Sequence, residues 1–232
     1  KVIGMVDVAG TSQAKMAAMM VGRPVSFKVD KKPAKPGKPV LELHDVNVMN
    51  IKKVLGVKNF SLQVREHEIV GIAGVDGNGQ SELVEAISGL RPVASGTISI
   101  NGTDITHIPI RARNEAGLGH IPEDRQKRGL VMTAPLSANM VIKEYYRPPF
   151  SKHGVLKDEL INKHAQEICD AFDVRSGEGI ESLAGKLSGG NQQKALVGRE
   201  MALEPDLIIA VQPTRGLDVG AIEYIHKRLV EH

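Results

Sequence analysis

The chain of 232 residues has no tryptophan and only three tyrosines and four phenylalanines. So little aromatic surface leaves no platform on which the bases of a single strand could stack. One cysteine, Cys169, excludes an internal disulfide and suits a reducing compartment. It is expected to serve as a small apolar residue on a helix rather than as a reactive thiol. No apolar run approaches the roughly 20 residues of a membrane span, and the opening residues lack the pattern of a secretory signal. Net charge is only +3. Its densest cluster (Lys28, Lys31, Lys32, Lys35 and Lys38) is interleaved with prolines, as in a solvated linker, and is not a basic face. Binding of nucleic acid is not expected.

What is present is ordinary for a globular protein, with 41% hydrophobic and 25% charged residues and the length for one large α/β domain with appendages. KVIGMVD reads as a short strand, and TSQAKMAAMMVG as a helix capped by Thr11 or Ser12 and stopped by Gly22. A lysine-proline tether over residues 23–39 follows. VLELHDVNV then alternates as a half-buried strand does, NFSLQV is a further strand, and EIVGIAG is apolar enough for a central one. QSELVEAISGL has helical periodicity, and GTISINGTDI gives a strand, an Asn101-Gly102 turn and a second strand. A short helix, a strand at LGHI and a polar loop come next. From about Ala134 helical stretches alternate with polar breaks. LSGGNQQKALVGREMAL opens a helix at Ser188, DLIIAV is a short buried strand, and GAIEYIHKRLVEH is a last helix.

The stretch GVDGNGQSEL sits between EIVGIAG and a helix, the context of a phosphate-binding loop G-x-x-x-x-G-K-[ST]. Gly74, Asp76, Gly77, Asn78 and Gly79 supply the loop, whose backbone N–H groups and following helix end favour an anion. Ser81 stands where a hydroxyl would reach Mg. Position 80, where the lysine belongs, is Gln80, and Glu82 adds a carboxylate to the first helical turn. A full charge about 4 Å from a phosphate is worth on the order of 4 kcal/mol at an effective dielectric near 20, before desolvation. Weak nucleotide binding is expected.

LSGGNQQK, with Leu187, Ser188, Gly189, Gly190, Asn191 and Gln192, resembles the LSGGQ signature of ATP-binding cassette proteins. PDLIIAVQPTRGLD resembles the segment of the same proteins that ends D-E-P-T-x-G-L-D. The two catalytic acids of that segment are replaced by Val211 and Gln212, while Asp218 keeps the aspartate of the D-loop. Together with GHIPEDRQKRGLV, these segments make residues 40–232 similar to the second nucleotide-binding domain of a tandem importer ATPase for simple sugars or nucleosides. Residues 1–22 resemble the tail of a preceding cassette.

That resemblance implies an α/β P-loop NTPase fold of the ABC ATPase type, with a mixed β core, an antiparallel β subdomain and a helical subdomain over about 134–203. It implies ATP and Mg as ligands, both weak or absent at the chain's own site, and places Glu123 at the glutamine-loop position. The signature would act in trans on the first ABC domain of the same polypeptide. Gly189 is expected to need glycine both for close approach and for its backbone. Glu123 to Phe150, with Tyr145, Tyr146, Phe150, Met132 and Met140, would receive transmembrane permease subunits or would close the helical core. The chain would lie peripherally on the cytoplasmic face of the membrane and would not hydrolyse ATP alone. It would be C-terminally incomplete, ending before the switch-histidine segment. A docking domain that needs no nucleotide, or a soluble cassette ATPase unrelated to transport, are the alternatives.

Overall fold

The computed structural model describes residues 5–24, 31, 33–75 and 77–231. In chain order its elements begin with α1 (Gln13–Val21), β1 (Pro39–Met49), β2 (Leu55–Arg65), α2 (Gln80–Ser88), β3 (Ser95–Ile100) and β4 (Thr103–Asp104). Next come α3 (Ile110–Glu115), β5 (Leu118–Ile121), α4 (Leu136–Val141), β6 (Ser151–Lys152), β7 (Val155–Leu156) and α5 (Asp158–Ala171). The last are α6 (Gly189–Ala202), β8 (Leu207–Ala210) and α7 (Val219–Glu231). They fall into two compact units. One holds Pro33–Ile121 with Glu200–Ala210, the other Pro122–Arg199 with Val211–His232 and the stretch that carries α1.

The first unit is built on an antiparallel sheet in the order β2-β1-β3-β4. β1 sits centrally because its apolar positions face one side, with Leu41, Leu43, Val46 and Val48 each at most 3% exposed. They pack with Ile98 and Ile100 of β3 and with Leu83, Ala86 and Ile87 of α2 into one continuous core. Asn101 at φ +50 and Gly102 at φ +75 turn β3 into β4, the left-handed pair that an Asn-Gly hairpin uses. The end of the tether is ordered here, since Gly37 N–H donates to Glu66 O and Glu66 N–H to Lys38 O.

A cation inside this unit left no mark in the sequence. Arg113 is 3% exposed. Its guanidinium donates to the carbonyls of Ala86 and Ile87 at the end of α2, and to those of Thr106 and Ile108. Burial lowers its pKa, while four carbonyls and a helix C-terminus compensate the charge.

Two expectations need correction. The EIVGIAG stretch is not a strand, and Ile69, Ile72 and Val75 are 65%, 51% and 76% exposed. β8 is half-buried, not buried. The physical reason is the same: parallel strands become central only when flanked on both sides. Among the described residues β5 and β8 pair only with each other, and nothing pairs with 68–74.

In the second unit Ser12 caps α1 by accepting from Lys15 N–H, and Gly22 ends it in the left-handed region, as the sequence suggested. Residues 5–7 of KVIGMVD form no strand, and Lys1–Gly4 lie outside the described residues. The helical part packs α4 against α5 around Leu136, Met140, Val141, Phe150 and Ile161. A small hairpin, β6 with β7, had no counterpart in the sequence reading. Cys169 is buried on α5, and desolvation pushes its thiol up to about 11. It is the inert apolar residue expected.

Candidate functional site

The glycine loop belongs to the first unit. Gly77 and Gly79 both take left-handed backbone, at φ +87 and +94. Gly79 could hardly be anything else, because an added Cβ would lie 2.4 Å from the carbonyl oxygen of Gly56. Asn78 N–H closes the loop on Val75 O at 3.2 Å. The N-cap of α2 is Gly79, which has no side chain to cap it, so the first-turn N–H groups of Gln80, Ser81 and Glu82 lie at the loop end of the helix. This is a cradle for an anion of the phosphate kind.

The cradle carries little charge. Gln80 folds back over the loop, its Nε2 lying 1.7 Å from where a Cβ on Gly74 would be. The carboxamide thus covers the backbone that an ammonium would otherwise serve. Ser81 is exposed and Glu82 half-buried. No group of three or more His, Cys, Asp or Glu side chains that could hold a metal occurs among the described residues, and Ser81 Oγ is the hydroxyl this loop offers to Mg. Asp76 lies outside the described residues. The backbone fits a nucleotide phosphate, and the side chains beside it are the carboxamide of Gln80, the hydroxyl of Ser81 and the carboxylate of Glu82.

The second unit carries the signature. Ser188 is exposed, Gly189 and Gly190 half-exposed, and α6 starts behind them. Ser188 Oγ accepts from Asn191 Nδ2 at 3.1 Å, and its carbonyl from Gln192 N–H at 2.9 Å. Leu187, Asn191 and Gln192 are props. Gln192 is 2% exposed, donates to Ala184 O and Leu187 O, and accepts from Gln126. Asn191 Oδ1 accepts from Arg175 N–H. Ser188, Gly189 and Gly190 are thus the accessible part of this segment, and Gln192 is committed behind them.

The expectation about Gly189 is half corrected. Its φ is not in the left-handed region, so its backbone does not require glycine. What an added Cβ would meet is the Nη2 of Arg125, at 2.7 Å. At Gly190 the neighbours are Ala221 Cβ at 3.5 Å and Asp218 Oδ2 at 3.6 Å, which is ordinary contact.

Val211 and Gln212 bring no carboxylate to the turn after β8. Gln212 is exposed at φ +44 and its carbonyl accepts from Arg215 N–H at 3.0 Å. Asp218, expected to face another domain, uses Oδ1 to cap α7 through Ala221 N–H at 2.9 Å. Glu123 forms an ion pair with Arg215. Sequence reasoning missed Arg125 and Arg215. Both stand inside motif segments, PEDR and PTR, but no local pattern says that they meet across 90 positions.

The helical part has a groove of ≈ 580 Å³ walled by Val131, Ile142, Tyr145, Leu156 and Ile161, with Ser137 and Asn162 at its edge. Tyr145 lines it at 43% exposure, stacked edge-on to Tyr146, while Met140 and Phe150 are core at 1% and 4%. Of the aromatics proposed for docking, Phe150 thus goes to the interior.

A family model described as ABC transporter matches residues 57–215. The chain is 50% identical over its full length to the guanosine import ATP-binding protein of Bacillus subtilis, of which it covers 45%. It is equally similar to the nucleoside import ATP-binding protein of Lactococcus lactis, covering 46% of it, and 40% identical to a glucose import ATP-binding protein of Haloferax volcanii, covering 42%. It thus spans less than half the length of these relatives. Among solved structures, a nucleotide-free ATP-binding cassette from an ABC transporter superposes with a TM-score of 0.69 at 21% identity, over 84% of this chain and 77% of that one. At that identity the likeness concerns the fold.

Proposed function

Since the chain belongs to the ABC transporter family, and has its P-loop NTPase fold, we propose that it is one cassette of an importer ATPase for nucleosides or simple sugars. Its own nucleotide site is hydrolytically silent, and its signature serves the ATP held by a second cassette, the first domain of the same polypeptide. Guanosine, nucleoside and glucose import in the relatives' names supports the importer reading. The observation that carries the division of labour is the contrast between the two halves of the chain. Gln80, Val211 and Gln212 stand where three charges are needed for hydrolysis. Ser188 to Gly190 keep an accessible helix start suited to a phosphate.

The apolar groove beside Tyr145 is the surface on which a transmembrane permease subunit docks, which holds the chain peripherally on the cytoplasmic side. No helix among the described residues is long and apolar enough to cross a membrane. ATP and Mg bind weakly at the chain's own loop.

The test is made in the complete polypeptide with its membrane partner. Gly189→Asp brings a carboxylate to a helix N-terminus, which favours it, and its Cβ makes the Arg125 guanidinium turn aside. It also sets a negative charge where the neighbour's phosphate must come. ATPase activity is expected to vanish, while Gln80→Ala retains much of it. Equal loss from both would reverse the assignment. A docking domain that uses no nucleotide is separated by heat: millimolar Mg-ATP raises the unfolding temperature of a chain that binds it and leaves the other unmoved.

A further inference from the structure

The segment after β5 was expected to reach a nucleotide through Glu123. In the structure its side chains bind residues of their own unit. Glu123 is ion-paired with Arg215. Arg125 Nη1 donates to the carbonyl of the same Arg215 at 3.2 Å. Its Nη2 lies against Gly189, and its buried Nε has no partner. One residue on, Gln126 donates to Gln192 of α6. The stretch 123–126 therefore holds two other segments at once, the turn 212–218 and the start of α6, all within one compact unit.

Stability does not account for this arrangement. The Glu123 and Arg215 side chains are 38% and 63% exposed, and an exposed pair of that kind contributes on the order of 0–1 kcal/mol. What the pair controls is position. Arg215 closes a tight turn on Gln212, whose φ of +44 is a conformation that costs a residue other than glycine about 1 kcal/mol or more. Three residues further on, Asp218 caps α7 and lies beside Gly190. A shift of Arg215 thus moves the turn at Gln212 and the neighbourhood of the signature together.

We propose that Glu123 is a positioning residue and not a nucleotide ligand: with Arg125 it latches the 212–218 turn, through Arg215, against the start of α6. The proposal rests on the reading that Ser188 to Gly190 serve ATP in trans. The latch would transmit movement of the segment after β5 to that helix start, with no contact to nucleotide or metal.

The experiment uses the complete polypeptide with its membrane partner and compares Glu123→Arg, Arg215→Glu and the double exchange. Each single variant is expected to lower kcat about fivefold or more, a change on the order of 1 kcal/mol, with KM for Mg-ATP unchanged. The double exchange restores kcat to within about twofold. Glu123→Gln, which keeps shape and loses charge, shifts the unfolding temperature by less than about 4 °C while still lowering kcat. A Glu123 that met the nucleotide or its metal would give the opposite split, with KM raised, a changed preference between Mg and Mn, and no rescue by exchange. That outcome overturns the proposal. Gly190→Ala in the same assay, whose methyl meets no atom closer than 3.5 Å and leaves Arg125 in place, keeps the two claims apart. If it is inactive and the exchange fails to rescue, the latch alone is wrong. If it is fully active, the trans reading falls, and with it the latch's purpose at α6.

Discussion

Replacing Gly190 by alanine separates what the fold needs from what a neighbour needs. The added methyl would stand 3.5 Å from Ala221 Cβ and 3.6 Å from Asp218 Oδ2, with no clash. Its backbone is not in the left-handed region. Alanine in a helix is favoured over glycine by up to about 1 kcal/mol, so the first turn of α6 gains. For a chain of this size that gain raises the unfolding temperature by about 2–4 °C. The effect on function should run the other way. If the start of α6 meets a phosphate held by another cassette, the methyl pushes the N–H donors out of reach. Removing one such donor from a charge-stabilising site costs on the order of a hundredfold in kcat. Circular dichroism of the isolated chain on heating gives the first number, and ATPase turnover of the complete polypeptide gives the second. A fall of several degrees in unfolding temperature would make Gly190 a requirement of the fold. An unchanged kcat would mean that nothing approaches it. Either result refutes the reasoning.

Three further outcomes are expected. Gln80→Lys should tighten ATP binding about tenfold by calorimetry, the part of the restored charge left after desolvation, and an unchanged affinity would discard the electrostatic account of this loop. Arg113→Met strands four carbonyls, two of them at the end of α2, and should cost about 3 kcal/mol, or about 6–12 °C in thermal unfolding; a shift under about 2 °C would show that water replaces the guanidinium. Cys169, with its thiol pushed up to about 11, is about 0.1% thiolate at pH 8 and should react with a thiol reagent only after denaturation; fast native labelling would mean that α5 opens readily.

Signals carried by a few consecutive residues were legible. Ser12 and Gly22 mark both ends of α1, Asn101-Gly102 makes the β3–β4 turn, and Ser188 opens α6, because each acts on backbone two to four positions away. Features defined by distant partners were not. EIVGIAG has the composition of a central strand, yet a strand is made by its neighbours, and none pairs with it among the described residues. For Met140 and Phe150 the sequence left docking and core open, and only the packing of α4 on α5 decides that they are core and that Tyr145 is left at the groove. Arg113 and the Glu123–Arg215 pair are invisible for the same reason. Their partners lie 5 to 92 positions away, with no periodicity to announce them.

Gly79 is dictated from within: its φ of +94 and the Gly56 carbonyl oxygen 2.4 Å from an added Cβ exclude any side chain, whether or not a nucleotide ever binds. Its presence is therefore weak evidence for phosphate binding, and the loop can keep its shape after losing its charge, as Gln80 suggests. Gly190 is the reverse case. Nothing among the described residues forbids a methyl there, and helix propensity favours one. A glycine that the chain's own packing does not require, on an accessible helix start beside a hydroxyl at Ser188, points to something outside the unit that comes close. Gly79 is thus explained by its own fold, whereas Gly190 is not.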